Sequence, residues 1–209
     1  MMSKKMELII NVAIKKANQK RHEFITLESI LFSMLDDEKV CDVLISCGVD
    51  IDDVREELKT FLDTSENIST LSEEEVERLG KEQFADEELR RIANRSGVFY
   101  QPEISMSLQR VIQRAAIHVQ SSGKKQITAV NLLAAMFDEK ESFALFLLED
   151  KGVTKFDILR MISVEVGDNE LLPDGHEDDD HDDDEESDED ASYIKGKKYK
   201  FLELYTTDL

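Results

Sequence analysis

The sequence predicts an all-α fold of two pseudo-twofold-related four-helix repeats, followed by a disordered acidic linker. Three observations carry this. Residues 25 to 37, ITLESILFSMLDD, return at 127 to 139 as ITAVNLLAAMFDE, 102 positions later, and fixed-offset similarity marks a duplicated structural unit. Within each copy, apolar residues recur at intervals of three and four, the stripe of an amphipathic helix. Period-two runs bounded by turn residues, which strands would show, are missing.

The first repeat occupies 1–63. Met6, Ile9, Ile10, Ala13 and Ala17 place a helix over 4 to 20, and further helices follow at 27 to 36, 39 to 47 and 51 to 63. Thr26 and Asp50 stand where an N-cap oxygen accepts from the first free amides, and Gly48 supplies a left-handed helix end. In the second repeat, 104–166, Leu108, Val111, Ile112, Ala115 and Val119 repeat the first stripe. Its helices fall at 106 to 121, 129 to 138, 141 to 150 and 155 to 166, with Thr128 and Thr154 as caps and Gly123 and Gly152 as ends. Two such units would be marginal alone, so they are expected to share one core.

The connector 64–103 is too long for a plain loop. Ser72 and Glu75 form a capping-box pattern, and Val76, Leu79, Phe84, Leu89 and Ile92 have loose helical spacing. One or two extra helices ending near Gly97 are predicted. From 167 to 192 low hydrophobicity and dense like charge predict disorder: residues 177 to 190, EDDDHDDDEESDED, hold twelve carboxylates and no cation. Residues 193–209 regain apolar and aromatic character, as though another module or a tail begins.

A formal charge of −21 argues against a chain that neutralises phosphate backbone. No run approaches the roughly 20 apolar residues of a membrane span, and the N-terminus lacks the apolar core of a signal peptide. A cytoplasmic protein is expected, with neither nucleic acid nor membrane as partner. Cys41 and Cys47 read as reduced core thiols. GxxxxGK[ST], GxGxxG, GxSxG and HExxH do not occur, so no catalytic constellation is assigned. His22, Glu23 and Asp63 have metal-ligand chemistry, but structural zinc usually takes four protein ligands, and no metal site is assigned. His118, among Ala115, Ile117 and Val119, is expected to be partly buried.

RHEFITLESILFSML and LQRVIQRAAIHVQSSGKKQITAVNLLAAMF closely resemble the duplicated N-terminal (Clp-N) domain of the Clp family of ATP-dependent unfoldases, with IHVQSSG most like ClpA. FLELYTTDL resembles the entry to a first ATPase module. The resemblance implies a non-catalytic double Clp-N module that captures unfolded or tagged protein substrates and docks a ClpS-type adaptor. It also implies delivery, through ATPase modules that this chain lacks, to a ClpP-type peptidase. ATP and Mg would enter only with those modules, and no cofactor is expected here. Carried over by position, the docking surface falls on Glu23, Glu28 and Ser105, with Lys20, Arg21 and Arg110 as neighbours. Other readings are a stand-alone acidic-tailed chaperone or decoy that shields basic proteins, and a metal-dependent enzyme centred on His22. The chain is expected to be either a fragment or a stand-alone product, and monomeric without ATPase modules.

Overall fold

The computed structural model describes residues 2–64 and 66–167. In chain order its elements are α1 (Lys4–Lys20), β1 (Phe24–Ile25), α2 (Leu27–Met34), α3 (Glu38–Ser46), α4 (Ile51–Thr64), α5 (Glu73–Gln83), α6 (Glu87–Arg95), β2 (Glu103–Ile104), α7 (Met106–Ser121), α8 (Ala129–Met136), α9 (Phe143–Asp150) and α10 (Lys155–Gly167). The acidic run and the 193–209 segment lie outside the described residues.

Matching side chains start matching helices. Ser3 Oγ accepts from Met6 N–H at 3.2 Å and Ser105 Oγ from Leu108 N–H at 3.3 Å, opening α1 and α7. Thr26 and Thr128 cap α2 and α8 through Ser29 and Asn131 N–H. Asp50 and Thr154 cap α4 and α10. Each oxygen satisfies a donor that the helix geometry leaves without an intrahelical partner. Gly48 and Gly152 follow α3 and α9 at φ 84° and 81°, a conformation that a Cβ disfavours.

Exchange of the two repeats is visible in the backbone. β1 pairs in parallel with β2, Ile25 opposite Ile104. Exchange turns Ile25 into Ile127 and Ile104 into Met2, and Met2 pairs in parallel with Ile127. Ser105 N–H donates to Ile25 O at 3.1 Å, and Ser3 N–H donates to Ile127 O at 3.0 Å. Packing follows the same rule: α1 lies on α2 and α7 on α8, while α2 meets α9 and α3 meets α8 across the pair. The central helices α2 and α8 also touch each other. All of α2 except Phe32, and all of α8 except Asn131, is buried. A helix buried nearly all round needs partners on every side, and only the centre of a joined core supplies them. Stacking of Phe61 on Phe143, centroids 4.2 Å apart, fastens α4 to α9.

The connector is tied to the first repeat through buried Asn18, at the end of α1. Its Nδ2 donates to Ile14 O at 3.0 Å and Tyr100 O at 2.9 Å, and its Oδ1 accepts from Phe99 N–H at 2.8 Å and Tyr100 N–H at 3.1 Å. Tyr100 is fully buried, and its hydroxyl donates to His22 O at 2.6 Å. Both connector helices form. α5 begins with the Ser72–Glu75 capping box, and α6 stops two residues before Gly97.

Five details differ from expectation, the first being that α2 and α8 stop at Met34 and Met136 rather than at 36 and 138. Two-residue strands exist, too short to show a period. α9 starts at Phe143 rather than 141, capped by Ser142. His118 is exposed, because it sits on the flank of α7, outside the stripe formed by the buried Ala115 and Val119. Cys41 and Cys47 are free but half-buried, not core, and partial burial pushes both thiols above their ordinary pKa.

Candidate partner-docking site

α1 ends because Arg21 turns left-handed, φ 56°, and His22 N–H returns to Ala17 O at 2.9 Å. A non-glycine residue in that region costs on the order of 1 kcal/mol, offset here by the closed helix end. The chain then runs through Glu23 into β1, and both edges of this short segment are used. On one side Glu103 N–H donates to Glu23 O at 2.9 Å, placing the start of the second repeat beside the end of α1. On the other side connector residues 69–71 run antiparallel to 21–23, with Leu71 N–H to Arg21 O at 2.7 Å and Glu23 N–H to Ser69 O at 3.0 Å.

Side chains follow that backbone. Lys20 pairs with Asp63 at the end of α4. Arg21 Nη1 lies 3.3 Å from Glu73 Oε1, and Ser69 Oγ donates to Glu23 Oε2 at 2.6 Å. Lys20 and Glu23 are half-buried and Arg21 is exposed. Ser105, half-buried, sits at the N-terminus of α7 with its hydroxyl engaged in the cap and 3.1 Å from Ser107 Oγ. Lys20, Arg21, Glu23 and Ser105 therefore border one junction where the repeats meet.

Two of the carried-over residues are placed elsewhere. Glu28 is 7% exposed, and its Oε1 accepts from Ala144 N–H at 3.2 Å. It caps α9 from inside the core, where a carboxylate at a helix N-terminus is favoured by the helix dipole, and it is not a surface contact. Arg110 is directed to Glu139 in two bonds, Nε to Oε1 at 3.0 Å and Nη2 to Oε2 at 2.6 Å, with Arg114 as a second partner. The Arg110 guanidinium holds the nearly buried Glu139 carboxyl below its ordinary pKa.

His22 is buried. Burial, then Lys20, pushes its imidazole below the ordinary histidine pKa, while a hydrogen bond with the Leu62 backbone and the charge of Asp63 partly oppose this. Among the described residues no three His, Cys, Asp or Glu side chains are grouped to hold a metal ion.

Ser69, Glu73 and Asn18 were not legible as site residues. Ser69 and Glu73 belong to an acidic, serine-rich stretch whose only local signal is a helix cap. Asn18 meets partners 81 and 82 positions away, which no local pattern encodes.

The model of the Clp repeat N-terminal domain family matches residues 1–151. A ClpA homolog protein from Fuscovulum blasticum is 34% identical over 161 residues, 77% of this chain. The chain spans 17% of that relative's length. Among solved structures, the N-domain of ClpV from Vibrio cholerae aligns with a TM-score of 0.57 at 17% identity, covering 80% of this chain and 86% of that one. A complex of the ClpV N-domain with VipB peptide aligns with a TM-score of 0.56 at 16% identity, covering 80% and 88%. At these identities the structural likeness shows a shared fold. No described helix is long and apolar enough to cross a membrane.

Proposed function

The chain belongs to the Clp repeat N-terminal domain family, and from that membership we propose that it is a non-catalytic binding module of a ClpA-like unfoldase. In this reading it docks a ClpS-type adaptor, receives unfolded or tagged protein substrates, and passes them to ATPase modules and a ClpP-type peptidase. A VipB peptide bound to the ClpV N-domain supports peptide capture by this fold. The ClpA homolog supports the choice of parent.

The carrying observation is the junction itself. Parallel pairing of β1 with β2 gathers charged and polar groups of both repeats, Lys20, Arg21 and Glu23 from the first and Ser105 from the second. Rim charges of this kind set register and orientation across a small interface. Glu23 is the central contact, because its carboxylate is half-exposed and held by one hydroxyl, which an incoming donor can replace. Arg110 remains a peripheral member through its exposed edge. Glu28 acts behind the surface by fixing α9.

The test is calorimetric titration of the full chain with a ClpS-type adaptor, beside Glu23→Lys. Saturable binding that weakens about tenfold or more on charge reversal supports the reading. Unchanged binding by the variant removes Glu23 from the contact, and absence of any complex removes adaptor docking.

A further inference from the structure

The connector carries a second surface, away from the two repeats' shared core. No residue of α6 is buried, although the helix is amphipathic: Leu89 and Ile92, three residues apart, are 59% and 53% exposed, and Phe99 just beyond the helix is 48% exposed. A short amphipathic helix with an uncovered apolar side is stabilised less than it would be with a partner on that side.

Beside these residues lies an open cavity of about 480 Å³, within the usual range for ligand clefts. Val76 and Gly80 of α5 and the Phe99 ring give it an apolar lining, and Arg90 and Asn94 enter it from α6, one turn apart. Gly80 makes the cleft possible. A Cβ there would stand 2.5 Å from Phe99 O, so only glycine allows α5 to approach this segment so closely. The other charged groups at the rim compensate one another: Arg21 with Glu73, and Lys81 with Glu77 at 2.6 Å. Arg90 is half-buried, and its guanidinium has no hydrogen bond or ion pair among the described residues.

We propose that this cavity and the adjoining face of α6 bind an acidic, apolar-anchored peptide segment of a partner protein. An apolar side chain of the segment lies over Val76 and Phe99, and its carboxylate meets Arg90 and the Asn94 amide. Charge decides the occupant. In a chain of formal charge −21, α6 holds Arg90, Arg91 and Arg95; Arg91 pairs with Glu87, and of the two left without an ion pair among the described residues Arg90 lines the cavity. The exposed apolar side chains extend past the cavity, so a segment of several residues fits better than a small molecule. An anionic bilayer would meet the same arginines, but a cleft of this size admits a side chain and its carboxylate rather than a flat surface.

The experiment measures fluorescence anisotropy of a labelled peptide of alternating Leu, Glu and Phe, and of its counterpart with Lys for every Glu, against the full chain. The acidic peptide should saturate and the basic one should bind at least about tenfold more weakly. Arg90→Glu should abolish that preference, while Lys125→Glu, a matched reversal at an exposed site after α7, should leave it intact. Equal affinity for both peptides, or an unaltered preference in Arg90→Glu, overturns the proposal. Arg90-dependent binding to phosphatidylserine vesicles without peptide binding overturns it in favour of a membrane surface. Because Arg90 lies outside the adaptor junction, the adaptor titration with Arg90→Glu should be unchanged, so this proposal and the docking proposal fail separately.

Discussion

Asn18 uses all four hydrogen-bonding positions of one buried amide, two donors and two acceptors. Replacing it with Ala leaves Phe99 and Tyr100 N–H and a buried carbonyl without partners, and should cost about 1–3 kcal/mol, read as a lower denaturant midpoint at unchanged slope. Tyr100→Phe removes the hydroxyl bond to His22 O and should cost on the order of 1 kcal/mol. His22 gives a pH signature. Its folded pKa lies below the unfolded value of 6.5, so the unfolded chain binds more protons between the two. The contribution is fully present above pH 6.5 and is lost as pH falls toward the lowered folded pKa. Urea midpoints of the wild type should therefore drop more between neutral and mildly acidic pH than those of His22→Gln, and parallel profiles would show that His22 is not the titrating group. None of these roles is readable from local sequence. Burial of a lone Asn or His depends on what the chain brings to it from 40 or more positions away, Leu62 for His22 and Tyr100 for Asn18.

At the scale of elements, what was legible is what is encoded within one helical turn. The caps at Thr26, Asp50, Ser72, Thr128 and Thr154 follow from a hydroxyl or carboxylate set before an apolar-periodic run, and each makes its bond. Thr128→Ala should cost about 1 kcal/mol of stability, measurable by thermal or denaturant unfolding. β1 and β2 were not legible, since two residues each carry no alternation and their pairing spans 79 positions. The approach of α5 to Phe99 was equally hidden, because Gly80 reads as a weak point in a helix until its neighbour is seen. Gly80→Ala favours the helix by about 1 kcal/mol through propensity, yet drives a Cβ into a backbone carbonyl that cannot swing aside. The clash should win, loosening the connector: amides of Phe99 and Tyr100 should exchange faster while those of α2 and α8 keep their protection.

For the whole molecule, the internal repeat predicted two units around one core, and the paired exchanges, Ile25 with Ile104 and Met2 with Ile127, realise it. What the repeat could not predict is its breakage by the connector. Only the first repeat has its helix end lined by residues 69–71, so the docking junction is occupied in part by the chain itself. An adaptor that engages Glu23 must take it from Ser69, and Ser69→Ala should tighten adaptor binding a few-fold, whereas a weaker complex would mean that the connector helps form the surface. The central claim is that the two repeats present one docking junction at 20–23 and 105. Amide hydrogen exchange of the full chain with and without a ClpS-type adaptor tests it most directly. The account predicts added protection at Lys20–Glu23 and at Ser105–Ser107 together, with the amides of α6 unaffected. Protection confined to α5 and α6, or to one repeat alone, would contradict it.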